Sequence, residues 1–173
     1  MKTVLGAVLI LLVLGQLGGC TKDPQRHFDA GDKYYDQGLF AEAIEEYQEA
    51  IKIKPDWALA HNNLGLAYFK TQQLEPAIRE YNEAIRLDPR LAEAFYNLAS
   101  IYYDRRSFPQ AILHYKKVLE LNPGMAQAHH DLAAAYYETR QYESAWKEVR
   151  EAQKLGFDTA RLVEALNSVT GRP

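Results

Sequence analysis

Leu64-Gly65-Leu66-Ala67-Tyr68 lies near the middle of the chain, and its parts return at a fixed interval of 34 residues. Tyr68 recurs as Tyr34, Tyr102 and Tyr136, and Leu64 as Leu98 and Leu132, with Ala30 in the first place. Further along, Ala43, Ala77, Ala111 and Ala145 keep the interval. So do Tyr47, Tyr81 and Tyr115, with Val149 in the fourth place, and Pro55, Pro89 and Pro123. So many coincident series at one spacing are the mark of a repeat architecture. The period divides the chain into 24–57, 58–91, 92–125 and 126–159.

Each unit reads as two helices. In the second half of the first unit, Ala43, Ile44, Tyr47, Ala50 and Ile51 fall on one helical stripe. Gly38 stands where a first helix should end, because a left-handed residue is easiest there. Pro55, Pro89 and Pro123 stop the second helices, which they cannot continue. Pro76 and Pro109 fall in a first turn, where no N–H is missed. The recurrent Ala lets paired helices approach closely.

A 34-residue unit carrying Leu-Gly-x-x-Tyr, then Ala, an aromatic, Ala and Pro resembles the tetratricopeptide repeat. The resemblance implies an all-α fold, a right-handed α-solenoid of four helix pairs plus a C-terminal capping helix. Such units bury a continuous core only when stacked, so the end units should look atypical. Arg26 and Lys33 stand where inner units carry Ala60, Ala94, Ala67 or Ile101. Beyond the fourth unit, Gly156 replaces the proline and residues 160–173 read as the cap. Leu162, Val163, Leu166 and Val169 form its apolar side, and Arg161, Glu164 and Asn167 its wet side. The other reading is a truncated fifth repeat that docks a partner helix.

The start of the chain reads as an address. Lys2, an apolar run from Val4 to Leu14, and then Leu17-Gly18-Gly19-Cys20 describe a secretory signal peptide. The ending resembles the bacterial lipobox. That resemblance implies cleavage after residue 19, acyl chains on Cys20, and a tether of residues 20–23 close to a bilayer. An uncleaved anchor is the alternative, but Val4–Gly19 is short of the about 20 apolar residues a spanning helix needs. The expected location is therefore the cell envelope. In a Gram-negative host, Thr21 after the cysteine favours the outer membrane, facing the periplasm. Cys20 is the single cysteine, so no internal disulfide exists.

A net charge of −3 argues against nucleic acid as partner, since phosphate binding wants a basic face. In the family the first helix of each unit lines a concave surface, where equivalent residues form ladders. Position five of the unit gives Phe28, Asn62, Tyr96 and His130, and position six Asp29, Asn63, Asn97 and Asp131. Position nine gives Asp32, Leu66, Ser100 and Ala134, and position twelve Tyr35, Phe69, Tyr103 and Tyr137. An Asn row can grip a peptide backbone through its donors and acceptor. A Tyr/Phe row offers broad contact with a polar tip. The expected partner is an extended protein segment, and with Asp29, Asp32, Asp36, Asp104, Asp131 and Glu138 against Lys70 it should be neutral or basic. The same ladders are common in the family and also read as structure alone.

No catalytic site, metal or cofactor is expected. His27, His61 and His129 share position four, but rungs about 10 Å apart cannot converge on one zinc ion. No phosphate loop, dinucleotide turn or nucleophile elbow is present. The reading that follows is a lipid-anchored protein-binding adaptor of the envelope, serving assembly of a pilus, a secretion channel or the outer membrane. A homo-oligomerising structural block, or a non-catalytic regulator docking a cell-wall hydrolase, are the alternatives.

Overall fold

A computed structural model describes residues 23–171. The leader and Cys20 lie outside them. Among the described residues there are nine helices and no strand. The first helices of the pairs are α1 (Pro24–Asp36), α3 (Ala58–Lys70), α5 (Ala92–Asp104) and α7 (Ala126–Glu138). Their partners are α2 (Phe40–Ile53), α4 (Leu74–Leu87), α6 (Phe108–Leu121) and α8 (Tyr142–Lys154), and α9 (Ala160–Thr170) closes the stack. None of these helices is long and apolar enough to cross a membrane.

Every first helix ends in the same device. Gly38, Gln72, Arg106 and Arg140 take a positive φ. The next N–H reaches back to close the turn: Leu39 to the Tyr34 carbonyl, Gln73 to Tyr68, Ser107 to Tyr102 and Gln141 to Tyr136. Glycine suits that conformation, having no Cβ to clash. Three repeats place Gln or Arg there instead, at a strain of roughly 1–2 kcal/mol. The second helices end at Lys54, Asp88 and Asn122, each just before a proline.

Helix pairs cross on alanine. Ala43, Ala77, Ala111 and Ala145 are wholly buried, as are Ala60, Ala94 and Ala128. Beside the crossing, Tyr47 and Tyr81 lie across glycines. A Cβ on Gly65 would come within 2.7 Å of the Tyr81 ring, and one on Gly31 within 2.6 Å of Tyr47. Leu64, Leu98 and Leu132 fill the space between pairs. α1 packs against α3, and α3 against α5. The side of the stack lined by these first helices is its inner side.

On the outer side the position-four histidines clip the pairs together. His27 Nδ1 lies 2.7 Å from Glu46, His61 Nδ1 2.7 Å from Glu80, and His129 Nδ1 2.6 Å from Glu148. The other nitrogen of His61 and of His129 meets a carbonyl closing the preceding repeat, Pro55 or Pro123, at 3.0 Å. Both ring nitrogens of His61 face acceptors, so both of its bonds form only with imidazolium. The third repeat substitutes an aromatic packing. Phe95 stands for the histidine and His114 for the glutamate, with the His114 ring stacked on Tyr102 at 5.4 Å. Burial holds His114 below the usual imidazole value.

The cap differs in part from its sequence reading. Leu166 is buried, and Leu162 and Val163 pack on the same cluster. Val169, expected inside, is 46% exposed. Asn167, expected on the wet side, has its Oδ1 buried with no hydrogen-bond partner among the described residues. The face that α9 buries thus takes in Asn167 and leaves out Val169.

Burial disfavours the charged form of His61, but the Glu80 hydrogen bond, the Pro55 carbonyl and the charges of Glu80 and Glu83 outweigh it and raise its pKa above 6.5. Folding therefore favours protonated His61. Its stabilisation is complete below the unfolded value near 6.5 and is lost as pH rises through the raised folded value. Urea midpoints compared from about pH 6 to about pH 8 should converge for the parent chain and His61→Gln, the gap being widest at the acid end. A gap that stays constant would sink this assignment.

Candidate protein-binding groove

The inner surface is built from one stripe of each first helix, and the four ladders meet different fates on it. Position five turns into the seams between repeats. Phe28 is buried and stacks on Trp57 at 4.5 Å between ring centroids. Asn62 is buried. Tyr96 packs in the cluster holding Met125, and the His130 ring lies 5.0 Å from that of Phe157. The expectation that Phe28 and Asn62 face a partner is corrected: both are buried, Phe28 under Trp57 and Asn62 bonded to Asn63 and Asn97.

Position six latches repeat to repeat. Asn63 Nδ2 donates to Asp32 Oδ1 at 3.0 Å, and Asn97 Nδ2 donates to Asn62 Oδ1 at 3.1 Å. Asn62 Nδ2 donates in turn to Asn63 at 3.2 Å. Asp131 continues the row as an acceptor. The Tyr96 hydroxyl donates to its Oδ2 at 2.6 Å, Gln127 to its Oδ1 at 2.8 Å, and His130 Nδ1 lies 3.0 Å from the same oxygen. Asp29, in the first repeat, is exposed and held by Gln25 at 2.7 Å. The Asn row is thus a bonded chain through the stack. Each latched amide keeps a second N–H for other acceptors.

Position nine is selected by the tyrosine beneath it. The Tyr47 hydroxyl donates to Asp32 Oδ1 at 2.6 Å, and the Tyr115 hydroxyl lies 3.3 Å from Ser100 Oγ. Leu66 is half-buried beside them, as is Ala134 in the last repeat. Position twelve makes a half-buried aromatic ledge of Tyr35, Phe69, Tyr103 and Tyr137. Three of its rings meet a ring at the start of their own second helix: Tyr35 on Phe40 at 5.2 Å, Tyr103 on Phe108 at 5.4 Å, and Tyr137 on Tyr142 at 6.0 Å. Phe40, Phe108 and Tyr142 were missed from the sequence, although with Leu74 they recur at the repeat spacing.

The phenols are fixed as neutral donors. Burial and then Asp32 raise the Tyr47 pKa well above the usual phenol value, and burial and then Asp131 do the same for Tyr96. Burial and then Asp36 raise Tyr35. For Tyr103, burial acts first, followed by Glu138, Asp131 and Asp104, against which Arg106 works.

Two small hollows open along the ledge. One, of about 250 Å³, is lined by Asp32, Tyr35, Asp36, Tyr47, Asn63 and Leu66. The other, of about 310 Å³, is lined by Tyr103, Asp104, Arg106, Phe108 and Glu138, and there Arg106 reaches Glu138 at 3.7 Å. A larger cleft of about 540 Å³ lies on the outer side between α6 and α8, over Leu119, Leu132 and Tyr136. No group of three or more His, Cys, Asp or Glu gathers to hold a metal among the described residues.

The family described as "TPR repeat" matches residues 31–72 and 67–105, and "Tetratricopeptide repeat" matches 92–125. Together they span more than half of the chain. Among solved structures, the chain is similar to MamA, at 27% identity with a TM-score of 0.75, covering 78% of this chain and 79% of that one. It is similar in fold to MamA from Desulfovibrio magneticus RS-1, at 19% identity and a TM-score of 0.71, covering 79% and 77% of the two chains. It is also similar in fold to the first TPR of Spaghetti (RPAP3) bound to the HSP90 peptide SRMEEVD. That match has 24% identity and a TM-score of 0.67, and covers 69% of this chain and 94% of the other. The curated proteins gave no match.

The latches have a measurable weight. Tyr96→Phe deletes one hydroxyl from a bond to a charged acceptor across repeats, and should lower unfolding free energy by about 1.5–3 kcal/mol. A double-mutant cycle with Asp131→Asn, read by urea denaturation, should show coupling between the two sites. Strict additivity would mean that the bond contributes nothing.

Proposed function

We propose, from the premise that this chain belongs to the tetratricopeptide-repeat family, that it is a lipid-anchored scaffold of the bacterial cell envelope whose inner groove holds an extended segment of a partner protein. Family and fold together support a protein-interaction scaffold of helical repeats. The observation that carries the groove is the half-buried ledge of Tyr35, Phe69, Tyr103 and Tyr137 beside Leu66. Aromatic rings that offer apolar area and a neutral hydroxyl are the usual anchors of protein interfaces.

Charge chooses the kind of segment. The neighbouring structure of this fold holds a peptide ending in Glu-Glu-Val-Asp. Here the inner side carries Asp29, Asp32, Asp36, Asp104, Asp131 and Glu138, with few cations to oppose them. A neutral or basic segment fits such a field, and an acidic one is repelled. Rungs about 10 Å apart match roughly three residues of extended chain each. Ordering a flexible segment offsets much of the contact energy, so affinity on the order of micromolar is expected.

The anchor rests on Leu17-Gly18-Gly19-Cys20. Several acyl chains on one cysteine hold a protein at a bilayer where one chain holds it only marginally. Expressed in a bacterium fed a labelled palmitate analogue, the chain should take up label and sediment with membranes. Cys20→Ser should abolish both, and equal labelling of that variant would remove the anchor from the reading.

For the groove, Leu66→Ala with Tyr103→Ala should strip a captured envelope partner from the chain. Leu113→Ala, on the outer face and 65% exposed, should leave capture unchanged. Circular dichroism should show that each variant keeps its helices. Capture that survives the groove pair would direct attention to the outer face or to the exposed Leu155 and Val169 near the C-terminal end.

A further inference from the structure

We propose that the hollow between α1 and α3 is the receptor for one cationic side chain of the partner segment, an arginine by preference. The inference rests on the groove reading and names the group that fixes where along the groove the segment begins.

Size is the first argument. About 250 Å³ is less than the roughly 300–1,000 Å³ of small-molecule sites, and fits a single long side chain. Charge is the second. Asp32 and Asp36 line the hollow, and no cation lines it. Three of the other inward acids are already engaged. Asp131 receives a hydroxyl, an amide and an imidazole nitrogen on its two oxygens. Glu138 has Arg106, and Asp29 has Gln25. Asp32 receives both its donors, Tyr47 and Asn63, on Oδ1. Its Oδ2 is bonded by no group among the described residues. That oxygen is held in place, because its carboxylate is pinned by a phenol that is 1% exposed.

Shape selects arginine over lysine. The Tyr35 ring forms part of the wall, itself braced edge-on by Phe40. A flat guanidinium can lie on such a ring while its N–H groups reach two carboxylates, and the Asn63 carbonyl adds a further acceptor. The second hollow, at Tyr103, repeats the aromatic corner two repeats later but contains its own Arg106, which lies 5.8 Å from the Phe108 ring centre. There the protein itself supplies a guanidinium beside the corner, the kind of group that does not line the first hollow.

The test is titration of the isotope-labelled full-length chain with N-acetyl-arginine methylamide, followed by amide resonances. The Asn63 side-chain amide and the backbone amides of Tyr35 and Asp36 should shift and saturate. The neutral isostere N-acetyl-citrulline methylamide should bind at least about threefold more weakly, as should the arginine probe to Asp36→Asn. Asp36 is exposed, so this variant keeps the fold. A lysine probe of equal affinity keeps the cation site and removes only the preference for guanidinium. Equal shifts by arginine and citrulline, or an unchanged Asp36→Asn, overturn the proposal. The captured partner separates this inference from the groove itself. Loss with Leu66→Ala and Tyr103→Ala but not with Asp36→Asn keeps the groove and overturns the receptor. A partner indifferent to both, with the arginine probe still lost in Asp36→Asn, overturns the groove and leaves a cation site.

Discussion

Where paired helices cross, Ala43, Ala77, Ala111 and Ala145 leave no room for a larger side chain, and that closeness sets the geometry of everything around it. The backbones come near enough for a tyrosine ring to close the pair from the side. In the first two repeats even a methyl group opposite that ring is too much, hence Gly31 and Gly65. The ring then runs through the pair, and its hydroxyl emerges on the inner face. Tyr47 meets Asp32 and Tyr115 meets Ser100 there. In the last repeat, Val149 has no hydroxyl to offer and Ala134 stands opposite, while Tyr81 with Leu66 departs from the rule. A core choice thus reaches the groove directly.

Each junction between repeats has an inner and an outer connection, and they differ in chemistry. The inner ones are amides, phenols and carboxylates, such as Asn63 with Asp32 and Tyr96 with Asp131. The outer ones, at the first and third junctions, are histidines bonded on both nitrogens. The middle junction has neither the histidine nor its glutamate, and uses Phe95 with His114 instead. Protonation of His61 therefore acts on the outer side of the first junction. A groove stiffened from within by its own hydrogen bonds orders little when a partner arrives, which leaves more of the contact energy for affinity.

The period and its consequences were readable because they are local. Pro, Ala and Tyr mark where helices stop, cross and pack, and the structure begins its first helices at 24, 58, 92 and 126. The His–Glu clips were also present as a signal: His27, His61 and His129 each precede a glutamate by 19 residues, and only the third repeat breaks both positions together. What the sequence hid depends on contacts between repeats. Phe28 is buried because Trp57 closes over it, and Asn62 because it bonds residues of its own and the following repeat. Such partners are one period away, where helical spacing carries no information. The positive φ of Gln72, Arg106 and Arg140 was hidden for another reason: the Schellman turn is imposed by the repeat, and the residue there merely tolerates it.

Unequal satisfaction of polar groups tells the structural part of the ladder from the part open to a partner. Buried donors and acceptors in folded proteins find partners, and most on this inner face find them within the stack. Asn62 and Asp131 are such groups, and replacing either loosens the solenoid before it touches any ligand. Asp32 differs in that its two donors share one oxygen. Asp36 differs in being exposed beside a ring rather than a cation. An exposed carboxylate alone would be satisfied by water and carry no meaning. A fixed carboxylate, a second one beside it, and an aromatic wall around a space the size of one side chain form a different object, since water gains nothing from the ring and a guanidinium does. Repetition supplies the comparison: the corner at Tyr103 has its own Arg106 among its lining, and the corner at Tyr35 has no cation.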